Sequence, residues 1–426
     1  MIRDPSAATL AYGLLGNDSS AAVRATAVHV LARSGGDARL PGLALALADA
    51  DPDVRATAVE TLPFGAIIPG IGHDEGAQSS AHALARALRD EDERVSRAAA
   101  SRLARFSDKE APVVWTALRE SEGPSREEVI RQIERRDPAR LAALALANAS
   151  SLQAADRVLA VELAVRAATP EATATVVSAL GDPDPSVRRI AAAAMSSLRS
   201  PMAVDALSRS LSDPRADIRV EAVRALGLID DDSVPTRLIT ALKDPEVRVR
   251  EGAVEALVRW RSPAVARRLA DALSSPDLRR PAGDVLIRMG AVAVEPLTDL
   301  VMRSDPDVRA AGGAVLERVA GPGPFLGDLG STNPDTRFRA VEVLGAMGGR
   351  VAVEALMQAL SDPEVRVRSR AATVLGSLGD PRSLPALKRM FLSDPVVEVA
   401  VSAEAALHAL GSPPETERPS DQGIDG

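Results

Sequence analysis

Arginine is the most regular chemistry-bearing residue in this 426-residue chain. Arg24, Arg55, Arg188, Arg219, Arg250, Arg279, Arg309, Arg337 and Arg368 recur in matching contexts. Neighbours are 28 to 31 residues apart from Arg188 onward, and Arg24 and Arg55 are 31 apart. A guanidinium presents its donors as a rigid planar fork, which matches a carboxylate or phosphate. Such a row can act as a structural ladder, tying the turn of one unit to the next through charge-assisted hydrogen bonds. It can also form a stripe that binds anions. Asp53, Asp217, Asp277, Asp307 and Asp335 each stand two residues before a ladder arginine. The local charge is therefore balanced, which favours the structural use.

Catalytic chemistry finds little support. The chain has no cysteine, which excludes disulfides, thiol nucleophiles and Cys-ligated zinc. Its four histidines are His29, His73, His82 and His408; no two are spaced i, i+4 and none belongs to a His-Glu pair. His73-Asp74-Glu75 reads as a solvated loop before it reads as a metal site. No G-x-S-x-G elbow, P-loop or dinucleotide fingerprint occurs. Asp230, Asp231 and Asp232 fall at an expected turn between units, where a solvated cluster is the simpler reading. No catalytic residue, metal ligand or cofactor is expected.

The elements that hold the arginines follow from a repeat. DPDVRATAVETL from Asp51, DPSVRRIAAAAMSSL from Asp184, DIRVEAVRALGLI from Asp217 and DTRFRAVEVLGAMG from Asp335 align with one another. So do VRVREGAVEALVRW from Val247 and VRVRSRAATVLGSLG from Val365. Before each comes a segment such as AVDALSRSL from Ala203 or AVEALMQAL from Ala352. Apolar residues at three- and four-residue spacing mark one buried face on each helix. Ile218, Ala222, Val223 and Leu226 form such a stripe. The Asp-Pro steps supply a start signal: Asp51, Asp305 and Asp362 are candidate caps, with Pro52, Pro306 and Pro363 at the first helical position. A period near 30 holds two three-turn helices and two short turns.

D-P-x-V-R followed by A-x-x-x-L-G resembles the bacterial HEAT-repeat family, in particular the branch named after phycobilisome lyase subunits. The resemblance spans most of residues 5 to 411 and is weakest at 107 to 169. It implies an all-α fold, a right-handed α-α superhelix (HEAT/armadillo-like solenoid) of about thirteen helical-hairpin repeats. The expected organisation is repeats over 1–62, a Gly/Pro-rich insertion loop over 63–80, the main array over 81–411, and a disordered tail over 412–426. GPGPFLGDLGST from Gly321 replaces a first helix and predicts a short helix or hinge at 321–333. Pro281 should weaken or kink the helix around it. Ala400 stands where a ladder arginine would, as suits a terminal unit.

In such solenoids the second helix of each repeat lines the concave side. Its solvent-facing positions carry Glu60, Arg224, Glu255, Asp284 and Glu342, and then Arg33, Arg259, Arg288 and Arg318. Arg224, Glu255, Arg259, Asp284, Arg288 and Arg318 form the expected partner surface, on consecutive repeats. Glu255 with Arg259 and Asp284 with Arg288 are spaced i, i+4 and can pair. HEAT-repeat hydroxylases of the deoxyhypusine type carry repeated His-Glu ligands, which this chain lacks. HEAT-repeat DNA glycosylases use a basic face with aromatics. Here net charge is -8 and aromatic residues are 2%, Trp260 aligns with core positions, and Trp115 is expected to be partly exposed. Nucleic acid therefore ranks last among partners.

The leading reading is a non-catalytic, cytoplasmic interaction scaffold that binds a protein or peptide segment. The resemblance also implies an alternative, a phycobilin-lyase-like or other oxidoreductase- or lyase-associated subunit. The N-terminus shows no signal-peptide pattern and no run approaches a membrane span.

Overall fold

The computed structural model describes residues 5–34, 37–69, 78–121 and 123–414. The His73-Asp74-Glu75 triplet, expected as a solvated loop, and most of the expected tail, from residue 415 on, lie outside them. Among the described residues there are 26 α-helices in hairpin succession, with four short 3-10 turns. The one departure from helix is a two-residue antiparallel ribbon, Ile67–Ile68 with Gln78–Ser79, inside the insertion. Ile68 is buried, so the insertion contributes to the core as well as to the surface.

The chain divides into two compact units, Met1–Ser210 and Leu211–Gly426. In each, buried residues are chiefly Ala, Val and Leu on one stripe of each helix. In the second unit, second helices stack in sequence order. Ala216–Leu226 packs on Val247–Trp260, which packs on Pro276–Met289, which packs on Pro306–Ala320. The row continues through Pro334–Met347 and Val365–Leu378 to Val397–Ala409. Each hairpin thus buries its apolar stripe against its neighbours in sequence.

Local sequence explains the helix starts. Asp51 accepts a hydrogen bond from the Asp53 amide at 2.8 Å, with Pro52 in the first turn. Asp305 accepts from the Val308 amide at 3.0 Å, with Pro306 following. Asp362 differs from the expectation. Helix Val365–Leu378 is preceded by Glu364 as its cap, and Asp362 lies two residues earlier, freed for the ladder described below. Pro281 does not end its helix, which runs unbroken from Pro276 to Met289. Residues 321–333 hold a six-residue helix, Gly323–Asp328.

Close approach of second helices requires glycine at two points. A Cβ on Gly313 would stand 2.2 Å from the Ala346 carbonyl oxygen, and one on Gly376 would stand 2.6 Å from the Ala406 Cα. Neither obstacle is a flexible side chain, so these glycines set the spacing between helices.

Candidate functional site

The ladder arginines reach the turn of the following repeat. Arg24 grips Asp49 with Nε and Nη2 at 2.8 and 2.9 Å, Arg55 grips Asp90 at 2.8 Å through both, and Arg219 grips Asp244 at 2.8 and 2.9 Å. Arg337 with Asp362 and Arg368 with Asp394 repeat the arrangement. The backbone carbonyl of the same aspartate accepts from the next arginine: Asp49 from Arg55, Asp244 from Arg250, and Asp362 from Arg368. One aspartate therefore links two repeats, by its carboxylate behind and its carbonyl ahead. Bidentate, charged and part-buried, this is the strong form of a protein hydrogen bond.

The partner is thus not the aspartate two residues before each arginine. Those residues meet other groups: Asp53 pairs with Arg94, Asp217 with Arg215, and Asp335 with Arg366. Asp49, Asp182, Asp244 and Asp362 stand six residues before Arg55, Arg188, Arg250 and Arg368. Sequence reading also missed a rung, Arg157 with Asp182 at 2.7 Å, in the stretch where the repeat resemblance is weakest. Arg157 lies 31 residues before Arg188, so the period itself could have found it.

Electrostatics agree with the geometry. Burial pushes the Asp244 carboxyl up, but bonds from Arg219 and from the Glu246 amide, with the charges of Arg219 and Arg250, outweigh it and hold it below the usual range. The same balance lowers Asp49, Asp182 and Asp362. At Asp90 the Arg55 bond is the largest influence, and it lowers the carboxyl.

The remaining ladder members contact backbone. Arg188 donates to the Asp182 and Pro183 carbonyls, Arg279 to Leu273, and Arg309 to Val301 and Ser304. Arg309 also approaches Glu342 at 3.7 Å. Arg250 donates through Nη1 to the Asp244 and Pro245 carbonyls at 2.7 and 2.9 Å.

All six residues expected on the partner surface are exposed and lie on second helices of the second unit. Glu255, Asp284 and Arg288 line a groove of about 1120 Å³ between helices Val247–Trp260 and Pro276–Met289. Arg259 stands in the last turn of the first of these, Arg224 pairs with Glu221 at 2.9 Å, and Arg318 reaches Asp284 at 4.0 Å. The groove also holds Lys243, Arg250 and Arg280 as cations and Glu251 and Asp277 as anions. Val247, Val254 and Pro281 supply apolar surface between them.

The i, i+4 pairing does not form. Among the described residues Glu255, Arg259 and Arg288 have no ion-pair partner, and Asp284 turns to Arg318 on the next repeat instead. Exposed helix pairs are worth only a few tenths of a kcal/mol, too little to hold long side chains together. Glu342 is a second correction: it is buried, held by Arg370 at 2.5 Å, and does not face solvent. The tryptophans are a third. Trp115 is buried, while Trp260 is only half-buried at the end of its helix.

His29, His82 and His408 are exposed. Among the described residues no group of three or more His, Asp or Glu could hold a metal ion, and no helix is long and apolar enough to cross a membrane.

Stacked helical hairpins joined by an arginine–aspartate ladder define an all-α repeat solenoid. The chain belongs to the HEAT-repeat family, whose sequence profile matches residues 40–134, 138–219, 208–287 and 323–408. Two curated relatives match locally. Deoxyhypusine hydroxylase of Gallus gallus is 44% identical over 69 residues, 16% of this chain and 23% of that protein. Phycocyanobilin lyase subunit alpha of Picosynechococcus sp. is 38% identical over 74 residues, 17% of this chain and 27% of that one. The chain thus spans about a quarter of the length of these relatives. Among solved structures, Kap121p matches at 14% identity and a TM-score of 0.36, over 86% of this chain and 48% of its own. The CpcE–CpcF complex of phycocyanin lyase from Nostoc sp. matches at 20% identity and a TM-score of 0.25, over 56% and 94%.

Proposed function

We propose that this chain is a non-catalytic scaffold that binds a protein or peptide segment along the second helices of its second unit. One observation carries the reading. The groove between Val247–Trp260 and Pro276–Met289 gathers charged side chains of both signs over apolar surface, and among the described residues several of them, Glu255 and Arg288 included, have no ion-pair partner. Side chains that could neutralise each other, yet stand apart around a concavity, suit a segment that brings complementary charges. A row of near-identical hairpins offers such a surface over several repeats. A partner segment of mixed charge would lie across Glu255, Asp284 and Arg288, with Arg259, Arg224 and Arg318 on its flanks.

The test is affinity capture with the full chain and with the Arg259→Glu/Arg288→Glu variant, partners being identified by mass spectrometry. Both changed positions are exposed, so the variant should fold as the parent does. The expected result is loss of a defined subset of partners. Identical recovery by the two proteins would refute the assignment.

A further inference from the structure

The ladder has a rule, and the groove lies at the first of three successive arginines, Arg250, Arg279 and Arg309, that depart from it. In an intact rung the arginine spends Nη1 on backbone carbonyls of its own repeat and aims Nε and Nη2 at a carboxylate of the next. Arg219 does this with Asp213, Pro214 and Asp244. Arg250 makes the first half of the pattern, through Asp244 and Pro245. Its Nε and Nη2 meet no acceptor among the described residues.

The cause is in the sequence. Leu273, an apolar residue, stands six residues before Arg279, where Asp213, Asp244 and Asp362 precede their arginines. The helix cap also differs. Asp51, Asp92, Glu246 and Glu364 cap the helices that follow Arg24, Arg55, Arg219 and Arg337, and each adds its charge to that arginine. After Arg250 the cap is Ser275, which carries none. Arg250 is half-buried and lines the groove.

We infer that Arg250 is a specificity residue which receives an Asp or Glu side chain of a bound peptide, in the place that the next repeat's aspartate fills elsewhere. This deepens the scaffold reading and rests on it. The fork is already oriented by its two carbonyl contacts, so little rotamer freedom is lost on binding. Lys243 and Arg280 add positive charge nearby, while Glu251, Glu255, Asp277 and Asp284 line the same groove. Four cations face four anions, so a bare anion gains little. The favoured ligand is a segment with one acidic residue at Arg250 and basic residues beside it.

Two variants separate recognition from folding. Arg250→Gln removes the fork. Ser275→Asp keeps Arg250 and supplies an acidic cap of the kind found after Arg24, Arg55, Arg219 and Arg337; Asp is itself a good capping residue. The full chain and both variants are panned against a phage-displayed library of random linear dodecapeptides. Peptides enriched on the parent should share one acidic position flanked by Lys or Arg. Replacing that acid by its amide should weaken binding at least tenfold, and the preference should vanish in both variants. Enriched peptides with no common acid, or an acid preference that survives in Arg250→Gln, would overturn the assignment to Arg250 and leave the groove reading intact. Failure to enrich any peptide would overturn both. A concentration-dependent dimer abolished by Ser275→Asp would place a second copy of the chain in the groove and overturn the peptide as occupant.

Discussion

A ladder aspartate is a stability device with a pH signature. Asp244 is only 9% exposed at its side chain and accepts from Arg219, while its carbonyl accepts from Arg250. Its folded-state carboxyl lies below the ordinary 3.8. A depressed carboxyl stabilises the fold above the unfolded value, and that contribution is lost as pH falls through the folded value. Asp244→Asn keeps the shape and the carbonyl contact but removes the charge. At neutral pH it should cost about 1 to 3 kcal/mol, as a charge-assisted pair does. The gap between parent and variant, read from urea denaturation, should stay constant from pH 7 to about 5 and close below about pH 4. A gap that persists unchanged at acid pH would show that the carboxylate charge is not what stabilises the turn. The same scale explains Glu342. It sits at a position that is solvent-facing elsewhere, but Arg309 and Arg370 converge on it from neighbouring helices, and a buried carboxylate flanked by cations is tolerable where an isolated one is not.

Helix packing in the array is limited by backbone contact as much as by side chains. Gly313 lets helix Pro306–Ala320 approach Pro334–Met347 until a methyl would collide with the Ala346 carbonyl. Gly313→Ala would normally favour a helix by its propensity. Here the collision is with backbone, so the helices must separate, and the change should destabilise by about 1 to 3 kcal/mol. Thermal unfolding followed by circular dichroism decides between the two signs. A rise in melting temperature would mean that the helices spread at no cost.

Elements were the most legible level of this protein. Hairpin count, helix faces and the Asp51 and Asp305 caps follow from three- and four-residue periodicity, because short local contacts determine them. Partners across the turn were less legible. Asp53 is close to Arg55 in sequence but points elsewhere, whereas Asp90 reaches Arg55 only after the hairpin folds back. Trp115 was misread for a related reason: its burial depends on how neighbouring helices close over it, which the stripe of its own helix does not reveal. At the candidate groove, the exposure of Glu255, Asp284 and Arg288 was readable from helical phase. The role of Arg250 was not, since its difference from Arg219 lies in what the next repeat fails to supply.

Contacts within the second unit run from each second helix to the next, with no single core drawing distant segments together. Stability in such an array is a sum of repeat terms and nearest-neighbour terms. Two rungs in this unit, Arg219–Asp244 and Arg337–Asp362, share no residue and belong to separate neighbour pairs. Breaking one should therefore loosen its own surroundings and leave the other intact. Native-state hydrogen exchange reads opening helix by helix. Asp244→Asn should lower protection in Ala216–Leu226 and Val247–Trp260 and leave Pro334–Met347 and Val365–Leu378 unchanged, and Asp362→Asn should do the reverse. In the double variant the two losses should appear together, each within about 0.5 kcal/mol of its single-variant value. If either change instead lowered protection evenly from Ala216 to Leu378, the unit would be opening as one cooperative body. Binding at the groove would then be coupled to the stability of every repeat, because a ligand that held Arg250 would stabilise helices it never touches.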